Sequence, residues 1–110
     1  MDETDSPKAL AEAVTRLASA FDPDRIILFG SRARGDATER SDFDLLVVCR
    51  FEGARRRAMA AMDRSLRGIA LGRDIVVVTP DEFTAQRDLP GSVVWPAVRE
   101  GRVLYERPAA

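Results

Sequence analysis

The sequence predicts one α/β or α+β unit, because short apolar strands alternate along it with amphipathic helices. The chain has 110 residues, of which 45% are hydrophobic and 32% are charged. This is enough for one modest core and is typical of a globular domain. No repeat, linker or low-complexity tract divides the chain, so we expect a single domain over 1–110. Three apolar runs predict the strands of the sheet: Ile26–Phe29, Phe43–Cys49 and Asp74–Val78.

Helices are predicted on both sides of these strands by apolar residues that recur at helical spacing. The first helix covers about 7–20, before the first strand. The second covers 53–70, between the second and third strands, and has Gly72 just past its end. Further short elements are predicted after the third strand: helices at 81–87 and 92–100, and an extended run at Arg102–Tyr105.

Aspartates stand at the start of two predicted strands. Asp42 and Asp44 are one residue apart, so on a strand both project from one face, about 6.5–7 Å apart. Asp74 reaches them if its strand is the neighbour, because adjacent strands lie about 4.8 Å apart. Three such carboxylates repel one another unless a cation neutralises them, and Mg²⁺ takes oxygen ligands of this kind. A structural alternative stays open for Asp42, since an aspartate after a serine is often a turn residue.

A glycine and a serine follow the first strand. Gly30 lets backbone approach a ligand closely, and the N–H groups that begin a helical turn at Ser31 attract anions. Arg32 and Arg34 are candidates to bind phosphates, or equally to form salt bridges with nearby acids. The segment is neither a P-loop nor a dinucleotide-binding fingerprint, because both glycine patterns are absent.

Composition excludes several kinds of chemistry. The chain has no histidine, which rules out Ser-His-Asp and Cys-His catalysis. A zinc site would lack imidazole, and the single cysteine cannot replace it. The formal net charge of −1 gives no general attraction to nucleic acid or to anionic membranes. We therefore expect no direct nucleic-acid binding, and the arginine run at 55–57 is interpreted as a solvated helix face.

The N-terminus, the length of the apolar runs and the single cysteine together predict a cytoplasmic protein. Three of the first five residues are acidic, unlike a secretory signal, and no apolar run has the length of a membrane span. The single Cys49 cannot form an internal disulfide, which is typical of a reducing compartment. We expect no membrane association.

The spacing of the glycine, serine and aspartates resembles that of the nucleotidyltransferase superfamily that includes DNA polymerase beta. The pattern runs in order through Gly30, Ser31, Asp42, Asp44 and, later, Asp74. The fuller form, Gly-Ser-x-Ala-Arg-Gly followed by Ser-Asp-x-Asp-Leu, is similar to the smallest branch, the minimal nucleotidyltransferases (MNT). The similarity covers 24–78 and returns at 94–106.

The resemblance implies an α+β fold of the α/β type in two layers, with a small central mixed sheet flanked by helices. It implies that Gly30 and Ser31 hold the terminal phosphates of the nucleotide. Asp42 and Asp44 would ligate two Mg²⁺ ions. Asp74 would ligate the catalytic ion and help to deprotonate the acceptor hydroxyl.

The resemblance also implies an activity and a partner. MNT proteins transfer AMP from ATP to a tyrosine of a HEPN-domain ribonuclease toxin and thereby act as antitoxins. Two alternatives stay open: a non-catalytic antitoxin that blocks the toxin sterically, and a small-molecule nucleotidyltransferase of the antibiotic-modifying kind. The nucleotide preference and the oligomeric state are not predicted.

Overall fold

A computed structural model, which describes residues 5–108, contains five helices and four strands in this range. The elements in chain order are α1 Asp5–Phe21, β1 Arg25–Phe29, α2 Ser31–Arg34, β2 Phe43–Val48, α3 Arg55–Ser65, β3 Arg73–Val78, α4 Pro80–Gln86, α5 Val94–Glu100 and β4 Arg102–Glu106. No helix within the described range is long and apolar enough to cross a membrane. Most of the acidic N-terminus considered above, residues 1–4, lies outside that range.

The four strands form one mixed sheet in the order β3-β2-β1-β4. β1 pairs antiparallel with both β2 and β4, whereas β2 and β3 are parallel. A parallel pair needs a crossover connection, and α3 provides it between β2 and β3. The predicted fold class, a small mixed sheet flanked by helices, is confirmed.

The sheet separates two apolar clusters, because successive side chains of a strand point to opposite faces. In β2, Leu45 and Val47 join the larger cluster beneath α1 and α3. Leu46 and Val48 join the smaller cluster beneath α4 and α5. Burial on both faces explains why the central strands have continuous apolar sequences rather than alternating ones.

The helix predicted over 53–70 is shorter in the structure. α3 ends at Ser65, and the chain then turns through Gly68, whose φ of 92° lies in the left-handed region. Leu66 and Ile69 are still buried, and the Ile69 N–H donates to the Leu66 carbonyl at 3.0 Å. The prediction was wrong here because tight turns bury apolar residues at the same spacing as a helix.

The helix predicted over 92–100 begins two residues later, at Val94. This places Pro96 within the first turn, where an N–H has no partner inside the helix in any case. The Ser92 hydroxyl accepts from the Trp95 N–H at 3.1 Å and so satisfies one of the free donors of that turn. The proline therefore neither kinks nor interrupts α5.

α4 is secured to the rest of the fold by one glutamate. The Glu82 N–H donates to the Thr79 hydroxyl at 3.1 Å, and the Thr79 N–H donates back to the Glu82 carboxylate at 2.9 Å. Arg55, the first residue of α3, donates to both carboxylate oxygens at 2.8 and 2.6 Å. Chiefly through Arg55 and the Thr79 N–H, the pKa of Glu82 falls to about 2.

Glu82→Gln is expected to reduce the free energy of unfolding at pH 7 by about 1–2 kcal/mol, since both partners are partly exposed. Because the pKa of Glu82 is lower in the folded protein, its ionised carboxylate stabilises the fold at pH values above the unfolded-state pKa of about 4.3. This stabilisation is lost as pH falls through the folded-state pKa. Wild type and variant should therefore converge in urea melts as pH falls from 5 towards 2. Glu52→Gln, at an exposed residue in no ion pair within 5–108, should change little. A gap that does not depend on pH would contradict this account.

Candidate active site

The candidate site lies where β2 and β3 begin and β1 ends. Asp44 and Asp74 are each the second residue of their strands, and the register pairs them directly across the parallel ladder. Phe29, the last residue of β1, pairs with Asp44 from the other side, so Gly30 follows at the same edge. Three segments that are distant in the sequence therefore meet at one edge of the sheet. We call it the carboxylate edge.

The two strand aspartates point away from the larger apolar cluster. Phe43 and Leu45 both lie in that cluster, so Asp44 between them projects to the opposite face. Asp74 precedes Ile75, which also lies in the larger cluster, and projects to the same side as Asp44. This is the face that α4 and α5 cover. Asp44 is half-buried there, whereas Asp74 is exposed.

Asp42 lies outside the strand, one residue before β2 begins. The neighbouring Phe43 N–H donates to the Gly72 carbonyl at 2.8 Å, which brings Gly72 beside Asp42. A Cβ atom at Gly72 would lie only 2.6 Å from Asp42 Oδ1. Gly72, which sequence reasoning placed at a helix end, therefore provides the space for this carboxylate. A glycine shortly before a strand was the only sign of this role in the sequence.

Gly30 makes room for the second aspartate. Its φ of 76° and ψ of −158° lie in a region that residues with a side chain rarely adopt. A Cβ atom at this position would also overlap Asp44 Oδ2. The turn after β1 therefore needs glycine for its conformation and for the approach of the Asp44 carboxylate.

Ser31 opens α2, a single helical turn. The Gly30 carbonyl accepts from the Ala33 and Arg34 N–H groups, both at 3.1 Å. The N–H groups of Ser31 and Arg32 come earlier in the turn, so they have no carbonyl partner within it. Such groups are the usual donors to a phosphate at the start of a helix.

The charges at the carboxylate edge are coupled. Burial raises the pKa of Asp44, and the negative charges of Asp74 and Asp42 raise it further. The positive charge of Arg34 acts in the opposite direction. Asp42 and Asp74 therefore each lie close enough to repel the charge of Asp44, and a bound cation would relieve that repulsion.

Comparison with known proteins assigns the chain to a family. The family model described as "Polymerase beta, Nucleotidyltransferase" matches residues 12–110. The chain belongs to this nucleotidyltransferase family. A crystal structure from Sulfolobus solfataricus, described as that of a "putative nucleotidyltransferase", superposes with a TM-score of 0.65 at 28% identity. The superposition covers 91% of this chain and 79% of the other.

A curated relative adds a more specific similarity. A protein of Methanocaldococcus jannaschii named "Putative protein adenylyltransferase" is 54% identical over 43 residues. The match covers 37% of this chain and 43% of the relative, so it spans less than half of the relative's length. The similarity is therefore high but local.

The donor set of this nucleotidyltransferase suits a hard divalent cation, since all three candidate ligands are carboxylates. In the orientations seen, no group of three or more acidic or cysteine side chains among residues 5–108 could hold an ion. The Asp44 carboxylate lies against Gly30, and that of Asp42 lies against Gly72. Joint ligation would therefore require the side chains to turn towards each other. The residues fit a metal ion in type and number.

The two arginines of the glycine-serine turn have other partners in the structure. Arg34 is exposed and lies 3.3 Å from an oxygen of Asp36 and 3.4 Å from one of Glu100. This matches the salt-bridge alternative for Arg34. Arg32 donates to the carbonyl of Ser41 instead. A phosphate contact by either arginine stays a prediction and would compete with these interactions.

Proposed function

We propose that this chain is an enzyme that transfers the adenylyl group of ATP to a hydroxyl group of another protein. The observation that carries the proposal is the meeting of Asp42, Asp44 and Asp74 beside the Gly30–Ser31 turn, in a chain of the nucleotidyltransferase family. The name of the Methanocaldococcus relative favours a protein as the acceptor.

Each part of the site has a role in this reaction. Asp42, Asp44 and Asp74 would hold divalent ions, for which we propose Mg²⁺. When bound, such ions would neutralise the phosphate chain and lower the pKa of the acceptor hydroxyl. The free N–H groups that begin at Ser31 bind the terminal phosphates. Asp74 accepts the proton of the hydroxyl. The hydroxyl oxygen then bonds to the α-phosphorus, the bond from that phosphorus to the bridging oxygen breaks, and pyrophosphate leaves.

For the acceptor we propose a tyrosine of a HEPN-family ribonuclease toxin, with this chain acting as its antitoxin. The resemblance of the motif to the MNT branch supports this choice. The exposure of the site supports a macromolecular acceptor, because Asp42 and Asp74 are both exposed and β3 is an edge strand of the sheet.

The test is to incubate the protein with ATP, MgCl₂ and the product of the gene next to its own, and to measure intact and peptide masses. We expect the mass of one adenylyl group on a tyrosine of the partner. Matched reactions contain EDTA, or the ATP analogue whose α–β bridging oxygen is a methylene, and should give no adduct. Neutralisation of the toxin without an adduct would instead favour the non-catalytic antitoxin.

A further inference from the structure

We propose that Arg32 is a positioning residue that holds Asp42 at the carboxylate edge. The inference rests on the proposed function, since it concerns the placement of one candidate metal ligand. It assigns Arg32 a task other than the phosphate contact that the sequence suggested.

Arg32 contacts both neighbours of Asp42 in the chain. Its Nε and Nη2 atoms donate to the carbonyl oxygen of Ser41 at 3.1 and 2.9 Å. Its guanidinium carbon lies 4.3 Å from the centre of the Phe43 ring, within the range of a cation–π contact. The residues directly before and after Asp42 are thus held by one side chain.

Phe43, the residue after Asp42, is fixed in the core. Phe43 is only 7% exposed and belongs to the larger apolar cluster, so its ring gives Arg32 a fixed surface to stack on. Ser41 has no such anchor, since it lies in the loop from Gly35 to Asp42. By bridging the two, Arg32 connects the end of the loop to the core.

The loop needs this connection because its other hydrogen bonds are mostly local. Within 5–108, the Thr38 N–H donates to the Ser41 hydroxyl at 3.0 Å, and the Ser41 N–H donates to the Thr38 carbonyl at 3.1 Å. These bonds shape the loop but do not attach it to the sheet. The ion pair of Asp36 with Arg34 is exposed and is therefore weak.

The chemistry of arginine separates this role from a phosphate contact. A planar fork reaches one carbonyl through two nitrogens while its face stacks on a ring, and lysine can do neither. A phosphate contact, in contrast, depends mainly on positive charge, which lysine retains. Arg32→Lys should therefore lose the positioning effect but keep an electrostatic one.

The experiment measures Mn²⁺ binding by electron paramagnetic resonance, with and without ATP, in the full chain. We expect Arg32→Lys to weaken Mn²⁺ binding by about 10- to 100-fold, the usual effect of removing a group that orients a ligand. Amide hydrogen exchange over 36–42 should become faster, while exchange in β1 stays unchanged. Arg40→Lys, at an exposed arginine of the same loop, should alter neither quantity.

A double variant tests whether Arg32 acts through Asp42. Arg32→Lys combined with Asp42→Asn should bind Mn²⁺ no more weakly than Asp42→Asn alone, because coupled residues are not additive. Arg32→Gln, which is shorter and uncharged, serves if the lysine variant folds poorly.

The outcomes separate the two proposals. If wild type binds neither Mn²⁺ nor ATP, the proposed function is wrong, and the role of Arg32 falls with it. If wild type binds both and Arg32→Lys binds Mn²⁺ equally well, only the role of Arg32 is overturned. Faster loop exchange with unchanged Mn²⁺ affinity also overturns it, because Arg32 would then be merely structural.

Discussion

Replacing Asp44 with asparagine is expected to abolish adenylyl transfer and to make the metal-free protein more stable. Activity should fall by about 100- to 1,000-fold or more, the usual effect of removing one preorganised electrostatic group. Stability should rise because burial and the charges of Asp74 and Asp42 disfavour the ionised Asp44 in the folded state. Asparagine has nearly the same size and carries no charge. One substitution thus separates the effect of the Asp44 charge on folding stability from its effect on transfer activity.

The dependence on pH follows from the direction of the shift. The pKa of Asp44 is raised in the folded protein, so ionised Asp44 destabilises the fold above that pKa. The penalty disappears as pH falls below the pKa of an unfolded aspartate. The melting temperature of Asp44→Asn should therefore exceed that of wild type at pH 7, and the gap should close on acidification.

With metal ions bound, wild type should have a higher melting temperature than Asp44→Asn, the reverse of the order without metal. A ligand that binds only the folded state raises the melting temperature, so Mg²⁺ with ATP should stabilise wild type more than Asp44→Asn. Asp88→Asn is the control, since this aspartate is 83% exposed and lies outside the carboxylate edge. An Asp44→Asn protein that is less stable than wild type without metal would contradict the repulsion argument. Retained transfer activity would contradict the assignment of Asp44 as a ligand.

Gly30→Ala is expected to have the second largest effect, on stability and activity together. Alanine is strained at a φ of 76°, at a cost of about 1–3 kcal/mol. The new methyl group would also overlap Asp44 Oδ2 and displace the carboxylate. We therefore expect a lower midpoint in urea unfolding and a loss of transfer activity as large as that of Asp44→Asn.

A matched glycine separates strain from displacement. Gly53 has a φ of 78°, almost the same as Gly30, but a Cβ atom there would meet nothing within 4 Å. Gly53→Ala should therefore lose stability through strain alone and keep full Mn²⁺ binding and activity. If both alanine variants lose activity equally after correction for the folded fraction, the close contact of Gly30 with Asp44 has no catalytic importance.

The strands were predictable because a continuous apolar run indicates a strand whose two faces are both buried. Leu45 to Val48 allow no exposed face, and the structure places them in the centre of the sheet. The aspartates were found by the same logic, because Asp44 interrupts such a run. The neighbouring position of Asp74 was only conditional in the sequence, since strand order depends on how the crossover packs.

Other features could not be predicted because they depend on contacts between distant residues. Gly72 faces Asp42 across 30 positions of sequence, and only the parallel register brings them together. For Arg32 the sequence showed a positive charge in a suitable turn but not its partner, the Ser41 carbonyl. Every residue has a backbone carbonyl, so the residue pattern does not show which carbonyl accepts a hydrogen bond. A motif arginine is therefore easily assigned to the ligand when its partner is the chain itself.

The parallel pairing of β2 with β3 also sets the order in which the site is assembled during synthesis. A nascent chain that has emerged only as far as Ser65 contains both strands of the β1–β2 hairpin and two of the three aspartates. The third arrives only after α3 has crossed the sheet, and such non-local pairing forms late. Truncated or stalled chains therefore carry a glycine-serine turn without a complete set of acids. A ribosome-bound fragment of this protein therefore lacks a complete carboxylate edge until β3 has paired with β2.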